Sequence, residues 1–439
     1  LTGVFRLAER VANVQVAVAA TVCTAAYPVF FAQSSLAQVD LAAAGLTFWA
    51  LATYLEDRMV AAAAWFSLAV LAKETAILAP MALLGWECLR WIMPENRRAS
   101  LDRTAEGGCP HLTWPAARRI AALAFPLLPL VAWYAYHYAK TGYVFGNPEF
   151  FRYNVSATAN PVRFVLALLL RLWQAVGYLH LWVLTGAMAL AMLLPEVRDA
   201  GVERRRIAIP VQAVFLVVIV AYVLALALIG GAVLARYMLT VVPLVIILAV
   251  STLYRRLQYW TAAVGAVAVV FVVGWFWNPP YGFSPEDNLT YRDYVILHED
   301  AARFVEARYP MAHVLTAWPG SDELTRPWLG YTTRPMQVVR IEDFTLEEVI
   351  SAAEFRSHFE VAMVFSTRYE PGPNPFDRWR RWTELKRRFF GFHRDLPPAA
   401  AARILDGKVV FSEQRKGEWV AVIEMEQDEM QNAEVRMQK

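Results

Sequence analysis

Five residues whose side chains could do chemistry lie at the ends of apolar segments: the carboxylates Asp40 and Glu74, and Lys73, Arg236 and Tyr237. An arginine and a lysine hold phosphate oxygens through charge-assisted hydrogen bonds. A carboxylate accepts a proton or binds a divalent metal such as Mg²⁺ or Mn²⁺. Each residue taken singly is also consistent with a solvated helix end, since Asp40 is an acceptable helix cap and Lys73 can extend to a membrane surface. Together they predict an anion-handling site.

A second group of polar and aromatic residues lies in the segment after the fifth predicted membrane span. It comprises Tyr143, Asn147, Glu149 and Tyr153. Aromatic rings combined with amide and carboxylate groups suit contacts with a carbohydrate. An ordinary surface loop over a helical bundle has the same composition, so both interpretations stay open.

A third group lies in the run WPGSDELTRPWLGYTTRP, residues 318–335, which is the most distinctive segment of the polar C-terminal part. Trp318, Asp322, Glu323 and Arg326 are candidates for contact with an acceptor substrate. The same residues are equally consistent with turns and the edge of a sheet.

The elements that must position these residues are mainly apolar helices. Of the 439 residues, 57% are apolar and 18% are charged, whereas a soluble domain has about 25% charged residues. Long apolar runs continue to Trp277, and acidic and basic residues occur throughout the chain after Asn278. We therefore predict a membrane-spanning bundle over 1–277, a soluble α/β domain over 278–430 and a polar tail over 431–439.

A bilayer core needs about 20 apolar residues per helix. On this basis we predict about nine spans, at residues 12–31, 37–54, 59–72, 75–93, 117–138, 176–195, 208–229, 235–251 and 259–277. The arginine-rich segments then fall on one side, which the positive-inside rule assigns to the cytoplasm. A tenth span at 162–175, which contains Arg163, Arg171 and Gln174, would destroy this bias. We therefore interpret 162–175 as an interfacial or re-entrant amphipathic helix.

This topology predicts a multi-pass protein of a bacterial inner membrane with a cytoplasmic N-terminus. The domain after Asn278 would be periplasmic or extracellular, on the same side as Asp40, Lys73, Glu74 and Arg236. Nucleic acid is not an expected partner there. The expected partners are membrane lipids, a lipid-linked substrate and its acceptor, with other membrane subunits as a further expectation.

The polar C-terminal part alternates helical and strand patterns, which predicts a small α/β fold with a partly parallel sheet. It contains neither GxGxxG nor GxxxxGK[ST], so no nucleotide-binding loop is indicated. The predicted helix 376–390 has six cationic and five aromatic residues. Its aromatic side chains could pack on the sheet, or its arginines could lie against lipid phosphates.

Three runs resemble the central part of GT-C membrane glycosyltransferases, in the group of protein O-mannosyltransferases and lipid A aminoarabinose transferases. They are YPVFFAQSSLAQVDLAAAGLTFWALATYL, FSLAVLAKETAILAPMALL and ARYMLTVVPLVIIL. In order, they contain an Asp that opens a span, a Lys-Glu turn between two spans, and an Arg-Tyr pair before a proline. The resemblance covers roughly residues 10–277.

The resemblance implies transfer of a sugar from a polyprenyl-phosphate donor to a protein, lipid or glycan acceptor on the outer face of the membrane. It implies that Asp40 and Glu74 lie near the active site and that Lys73, Arg236 and Tyr237 face the donor phosphate. The family's catalytic Asp lies in a first extracytoplasmic loop that has no counterpart here. We therefore expect either an N-terminally truncated chain or a relative without that base.

Two other functions are compatible with the sequence. One is a non-catalytic membrane subunit of a larger complex, and the other is a lipid or polysaccharide transporter. The lack of two similar halves or of paired broken helices disfavours the transporter.

Overall fold

The structure is a computed structural model that describes residues 1–92, 115–144, 160–229, 233–369, 371, 378–390 and 392–426. The chain divides into two compact units, Leu1–Trp277 and Asn278–Lys439. It is predominantly helical, with 66% of its residues in helices, as the apolar composition predicts. The predicted polar tail 431–439 lies outside the described residues.

The described residues of the first unit are mainly α-helical. Its α-helices are α1 (Thr2–Val11), α2 (Val14–Ala26), α3 (Pro28–Ser35), α4 (Val39–Leu55), α5 (Met59–Ala72), α6 (Leu78–Ile92), α7 (Ala116–Ala124), α8 (Leu127–Thr141), α9 (Pro161–Val176), α10 (Leu181–Ala191), α11 (Ile209–Ile229), α12 (Val242–Arg256) and α13 (Trp260–Val273). A short antiparallel hairpin pairs β1 (Arg198–Asp199) with β2 (Val202–Glu203). Short 3₁₀ turns lie at Glu74–Ile77, Tyr178–His180 and Ala235–Met238.

Three helical segments among the described residues are long and apolar enough to cross a membrane: Ala116–Thr141, Pro161–Ala191 and Ile209–Ile229. The pair α2 and α3 makes a fourth if it is counted as one span with a 65° bend. Pro28 begins α3 at this bend, and it lacks the N–H that a continuous helix would donate.

The predicted bundle of nine spans is not confirmed. Helices α4, α5 and α13 coincide with predicted spans, but they contain 17, 14 and 14 residues. These lengths are below the roughly 20 residues that a bilayer core requires of a straight helix. Hydropathy locates these apolar helices correctly but does not establish how many of them cross a membrane.

The interpretation of 162–175 as an interfacial or re-entrant helix is not confirmed. This stretch is α9, and it forms one candidate span with α10 across the 3₁₀ turn between them. The side chains of Arg163, Arg171 and Gln174 are buried inside the unit rather than exposed to lipid headgroups. Helix α9 packs along α11 and contacts α12, so its polar groups face protein. Positive-inside counting records how many arginines a segment has, but not which way they point.

The second unit is a small α/β fold, as predicted. Its elements are α14 (Thr290–Arg308), β3 (His313–Thr316), α15 (Gly320–Thr325), β4 (Gln337–Arg340), α16 (Leu346–Ala353), β5 (Val361–Phe365), α17 (Arg380–Phe390), α18 (Pro398–Leu405), β6 (Gly407–Arg415) and β7 (Glu418–Met425). The five-stranded sheet has the order β4-β3-β5-β7-β6. Strand β3 pairs in parallel with β4 and β5, while β7 is antiparallel to β5 and β6.

The core of this unit lies on both faces of the sheet. All residues of the central strand β5 are buried, as its continuous apolar run VAMVF predicts. Helix α14 packs on β6 and β7 through Ala301, Ala302 and Val305, which share one face of the helix. The partly parallel sheet is thus confirmed, with helix boundaries that differ by a few residues from the predicted ones.

Candidate functional site

Close packing of α4 against α5 brings the first two predicted site residues together. Ala43, Ala69, Val70 and Ala76 form a buried cluster, and small side chains of this kind let two helices approach closely. Because the two helices form an antiparallel hairpin, the first turn of α4 lies beside the last turn of α5. Asp40 lies in that first turn, and Lys73 directly follows α5 with an extended backbone.

Asp40 is in contact with two cationic side chains. The Lys73 ammonium donates a hydrogen bond to Asp40 Oδ1, and Arg236 Nε lies 3.7 Å from Asp40 Oδ2. The Asp40 side chain is 6% exposed, while those of Lys73 and Arg236 are 14% and 18% exposed. Lys73 Nζ also lies 4.0 Å from the centre of the Tyr237 ring, which is a cation–π distance. The carboxylate is therefore buried, and its cationic partners reach solvent.

Two residues of α9 position the turn that carries Arg236 and Tyr237. Arg171 Nη1 donates to the Leu234 carbonyl oxygen at 3.0 Å and to Gln174 Oε1 at 2.7 Å. Gln174 Nε2 donates to the Val233 carbonyl oxygen at 2.7 Å. The Arg171 guanidinium lies 5.9 Å from the Tyr237 ring.

Sequence reasoning did not assign Arg171 or Gln174 to the site. The available signal was a charged side chain inside an apolar helix, which is costly unless it has a partner or a function. We name Asp40, Lys73, Arg171, Arg236 and Tyr237 the Asp40 cluster.

Positive charge is in excess in the Asp40 cluster. It contains one carboxylate and the cations Lys73, Arg171 and Arg236. Glu74 is exposed at the start of its 3₁₀ turn, from which its charge acts on Lys73. Burial lowers the pKa of the Lys73 ammonium, although the hydrogen bond to Asp40 acts in the opposite direction. An anion would offset this excess.

A second charged cluster lies at the other end of α4, and we name it the Arg119 cluster. Arg119 Nε and Nη2 donate to Glu87 Oε1 at 3.1 and 2.7 Å, and Nη1 donates to Asp57 Oδ1. The Tyr54 hydroxyl donates to Glu87 Oε1 at 2.5 Å. Arg119 is 3% exposed, so the one cation is enclosed by its carboxylates.

The Asp40 cluster does not fit a divalent metal. Lys73 and Arg236 already neutralise Asp40, and a metal ion there would meet like charge. Among the described residues, no group of three or more His, Cys, Asp or Glu side chains is arranged to hold a metal. The Mg²⁺ or Mn²⁺ considered from the sequence therefore has no ligand set in the described part of the chain.

The predicted carbohydrate contacts are only partly described. Tyr143 follows α8 with its side chain half exposed, and its carbonyl oxygen lies 2.8 Å from His137 Nδ1. Asn147, Glu149 and Tyr153 lie outside the described residues.

The residues predicted from segment 318–335 do not form one surface. Trp318 is 71% exposed, whereas Glu323 is buried. Asp322 forms ion pairs with Arg326 at 3.2 Å and with Arg340 at 3.0 Å. The four candidates thus divide into an exposed tryptophan, a surface ion pair and a buried carboxylate.

Glu323 has a buried partner that sequence reasoning missed. Glu323 Oε2 lies 2.6 Å from His298 Nδ1, and the imidazole ring contacts the Tyr294 and Phe365 rings, with centroids 4.1 and 4.4 Å away. This buried pair joins α14 to α15 inside the second unit.

Searches of protein-family models, of curated proteins and of solved structures found no match to this chain. The GT-C resemblance therefore rests on the three short motifs that carry it.

Proposed function

We propose that this chain is a membrane glycosyltransferase that takes a sugar from a polyprenyl-phosphate donor. The observation that carries the proposal is the excess of cations around Asp40, at the ends of apolar helices. A lipid-linked phosphate needs this combination, because its chain requires an apolar environment and its headgroup requires positive charge. The GT-C resemblance supports the same assignment.

The proposed reaction explains how an excess of cations around Asp40 would assist catalysis. The acceptor hydroxyl loses its proton to a carboxylate, and its oxygen forms a bond to the anomeric carbon of the sugar. The bond from that carbon to the phosphate oxygen breaks, and the phosphate leaves with the electron pair. The phosphate group thereby gains one negative charge, which Lys73 and Arg236 stabilise as it develops.

The two carboxylates predicted to be catalytic take different parts in this proposal. Asp40 accepts from Lys73 and lies beside Arg236, so its two carboxylate oxygens already face cations. We therefore assign Asp40 to orienting the two cations. Glu74 is exposed next to Lys73, and we assign it as the proton acceptor.

The finer topology is part of the proposal. We propose that further apolar helices besides the three or four candidate spans also cross the bilayer, in the nine-span arrangement of the sequence analysis. The second unit would then be extracytoplasmic, where lipid-linked sugar donors are used. The positive-inside distribution of arginines supports this orientation.

A transfer assay tests the proposal directly. The full-length protein in proteoliposomes is incubated with a radiolabelled polyprenyl-phosphate sugar and a membrane extract as acceptor. We expect label in an acceptor fraction and release of polyprenyl phosphate in equal amounts. The double variant Lys73→Gln and Arg236→Gln should lose both products.

Arg58→Gln provides a matched control, because the Arg58 side chain is 67% exposed and lies at the other end of α4. It should retain wild-type turnover. Absence of donor turnover in the wild-type protein, or full turnover in the double variant, would overturn the proposal. Movement of intact donor across the vesicle membrane would instead favour a transporter.

A further inference from the structure

Helix α17 is the most cationic of the described elements of the second unit, and none of its residues is buried. Its sequence RRWTELKRRFF contains five cationic residues and one acidic residue. A surface helix of a soluble domain normally buries one apolar face against its neighbours. The predicted packing of its aromatic face on the sheet is therefore not confirmed for the described residues of this helix.

The side chains of α17 are divided between two faces. Trp382, Leu385 and Phe389 follow the spacing i, i+3, i+7 and form one apolar stripe that is partly buried. The arginines at 380, 381, 387 and 388 are exposed, and none of them forms an ion pair with another described residue. Arg388 lies 5.3 Å from the Phe389 ring, where its side chain borders the apolar stripe.

We propose that α17 binds an anionic lipid surface. Its arginines would contact lipid phosphates, and its aromatic stripe would enter the boundary between headgroups and acyl chains. Two properties of the chain favour a lipid surface as the binding partner. The helix has a net charge of four positive units, and it belongs to a chain with helices apolar enough to cross a membrane. The proposal holds whether or not the chain is a transferase.

The length of α17 agrees with this role. Eleven residues span about 16 Å, and such a helix can lie in the interfacial layer along its whole length. Screening by salt should weaken the contact, because the Debye length falls from about 10 Å to about 3 Å between 0.1 and 1 M ionic strength.

Hydrogen exchange of the full-length protein in nanodiscs tests this proposal. One set of nanodiscs contains phosphatidylcholine alone, and the other also contains phosphatidylglycerol. We expect the amides of α17 to exchange about tenfold more slowly in the anionic nanodiscs, with the difference lost at high salt. The strands of the sheet should exchange equally in both.

Two variants separate charge from helix formation. Replacement of Arg380, Arg381, Arg387 and Arg388 by glutamine should abolish the lipid-dependent protection, since glutamine and arginine have similar helix propensities. Replacement of the same residues by lysine should retain it.

The matched control replaces four exposed arginines elsewhere in the unit by glutamine: Arg303, Arg308, Arg334 and Arg403. It should leave the protection of α17 unchanged. Equal exchange of α17 in the two lipid compositions, or undiminished protection in the α17 glutamine variant, would overturn the proposal.

Discussion

The two ends of α4 carry opposite balances of charge. They lie about 21 Å apart, from the rise of 1.5 Å per residue between Asp40 and Tyr54. In the Arg119 cluster, one arginine is enclosed by two carboxylates and is 3% exposed. In the Asp40 cluster, one buried carboxylate lies beside Lys73 and Arg236, which reach solvent, and the third cation, Arg171, is buried. The Arg119 cluster thus has more carboxylates than cations, and the Asp40 cluster has more cations than carboxylates.

This difference separates a structural cluster from a ligand site. A buried ion pair contributes little net stability, but removal of one partner leaves an uncompensated charge in an apolar environment. Loss of one cation from the Asp40 cluster, in contrast, leaves its carboxylate beside another cation. The two clusters should therefore respond differently to the loss of one arginine, the Arg119 cluster in stability and the Asp40 cluster in binding.

The largest expected effect is on folding, at the Arg119 cluster. Arg119→Met leaves Asp57 and Glu87 buried without their cation, which should cost about 3–5 kcal/mol. Thermal unfolding of the detergent-solubilised protein measures this loss. Arg118→Met is the control, because Arg118 is exposed on the same helix turn. A melting temperature for Arg119→Met equal to that of the control would contradict the assignment.

A smaller effect on stability and a large effect on turnover are expected at the Asp40 cluster. Arg236→Gln removes one phosphate-binding cation, and turnover of the polyprenyl-phosphate sugar should fall by about 10²–10³. Its free energy of unfolding should change less than that of Arg119→Met, since Lys73 still pairs with Asp40 when Arg236 is lost. A variant that unfolds instead would assign Arg236 to the same structural class as Arg119.

An intermediate effect on donor binding is expected at α9, which positions the turn that carries Arg236 and Tyr237. Gln174→Met keeps the volume of the side chain and removes two hydrogen bonds, one to the Val233 carbonyl oxygen and one from Arg171 Nη1. The donor KM should rise at least about tenfold, because the turn that carries Arg236 is held less firmly, with kcat nearly unchanged. Leu172→Met, on the exposed side of α9, serves as the control. A fall in kcat without a change in KM would argue against this positioning role.

The smallest effect concerns pH. Burial lowers the pKa of Lys73, so this ammonium loses its proton at a lower pH than an exposed lysine does. The cluster then loses one positive charge, and donor affinity should weaken about fivefold as the pH rises through that value, since one such contact is worth roughly 1 kcal/mol. Lys73→Arg should remove this pH dependence in equilibrium binding. A pH dependence that persists in the arginine variant would exclude Lys73 as its origin.

The sequence predicted the helices of this region better than their contacts. Alternating apolar and polar runs located α4, α5 and the turn at Lys73, because hydropathy is a local property. The approach of Arg236 to Asp40 joins residues far apart in the chain, and it follows from helix packing that no local pattern encodes. The GT-C motifs suggested this proximity only by resemblance.

The roles of α9 and of Arg119 could not be predicted from the sequence, for the same physical reason. Arg171 and Arg119 are both arginines near apolar runs, and positive-inside counting treats them alike. What distinguishes them is burial and partner, namely backbone carbonyl oxygens for Arg171 and carboxylates for Arg119. In the second unit, strands with continuous or alternating apolar residues were predictable, whereas the burial of Glu323 against His298 was not.

The most direct test of the central claim is calorimetric titration of the detergent-solubilised protein with a short-chain polyprenyl phosphate. We predict binding to the wild-type protein and to Arg118→Met, and affinity at least about 100-fold weaker for Arg236→Gln. Equal affinity for all three proteins, or no binding to a folded wild-type protein, would contradict the assignment of the Asp40 cluster as a phosphate site.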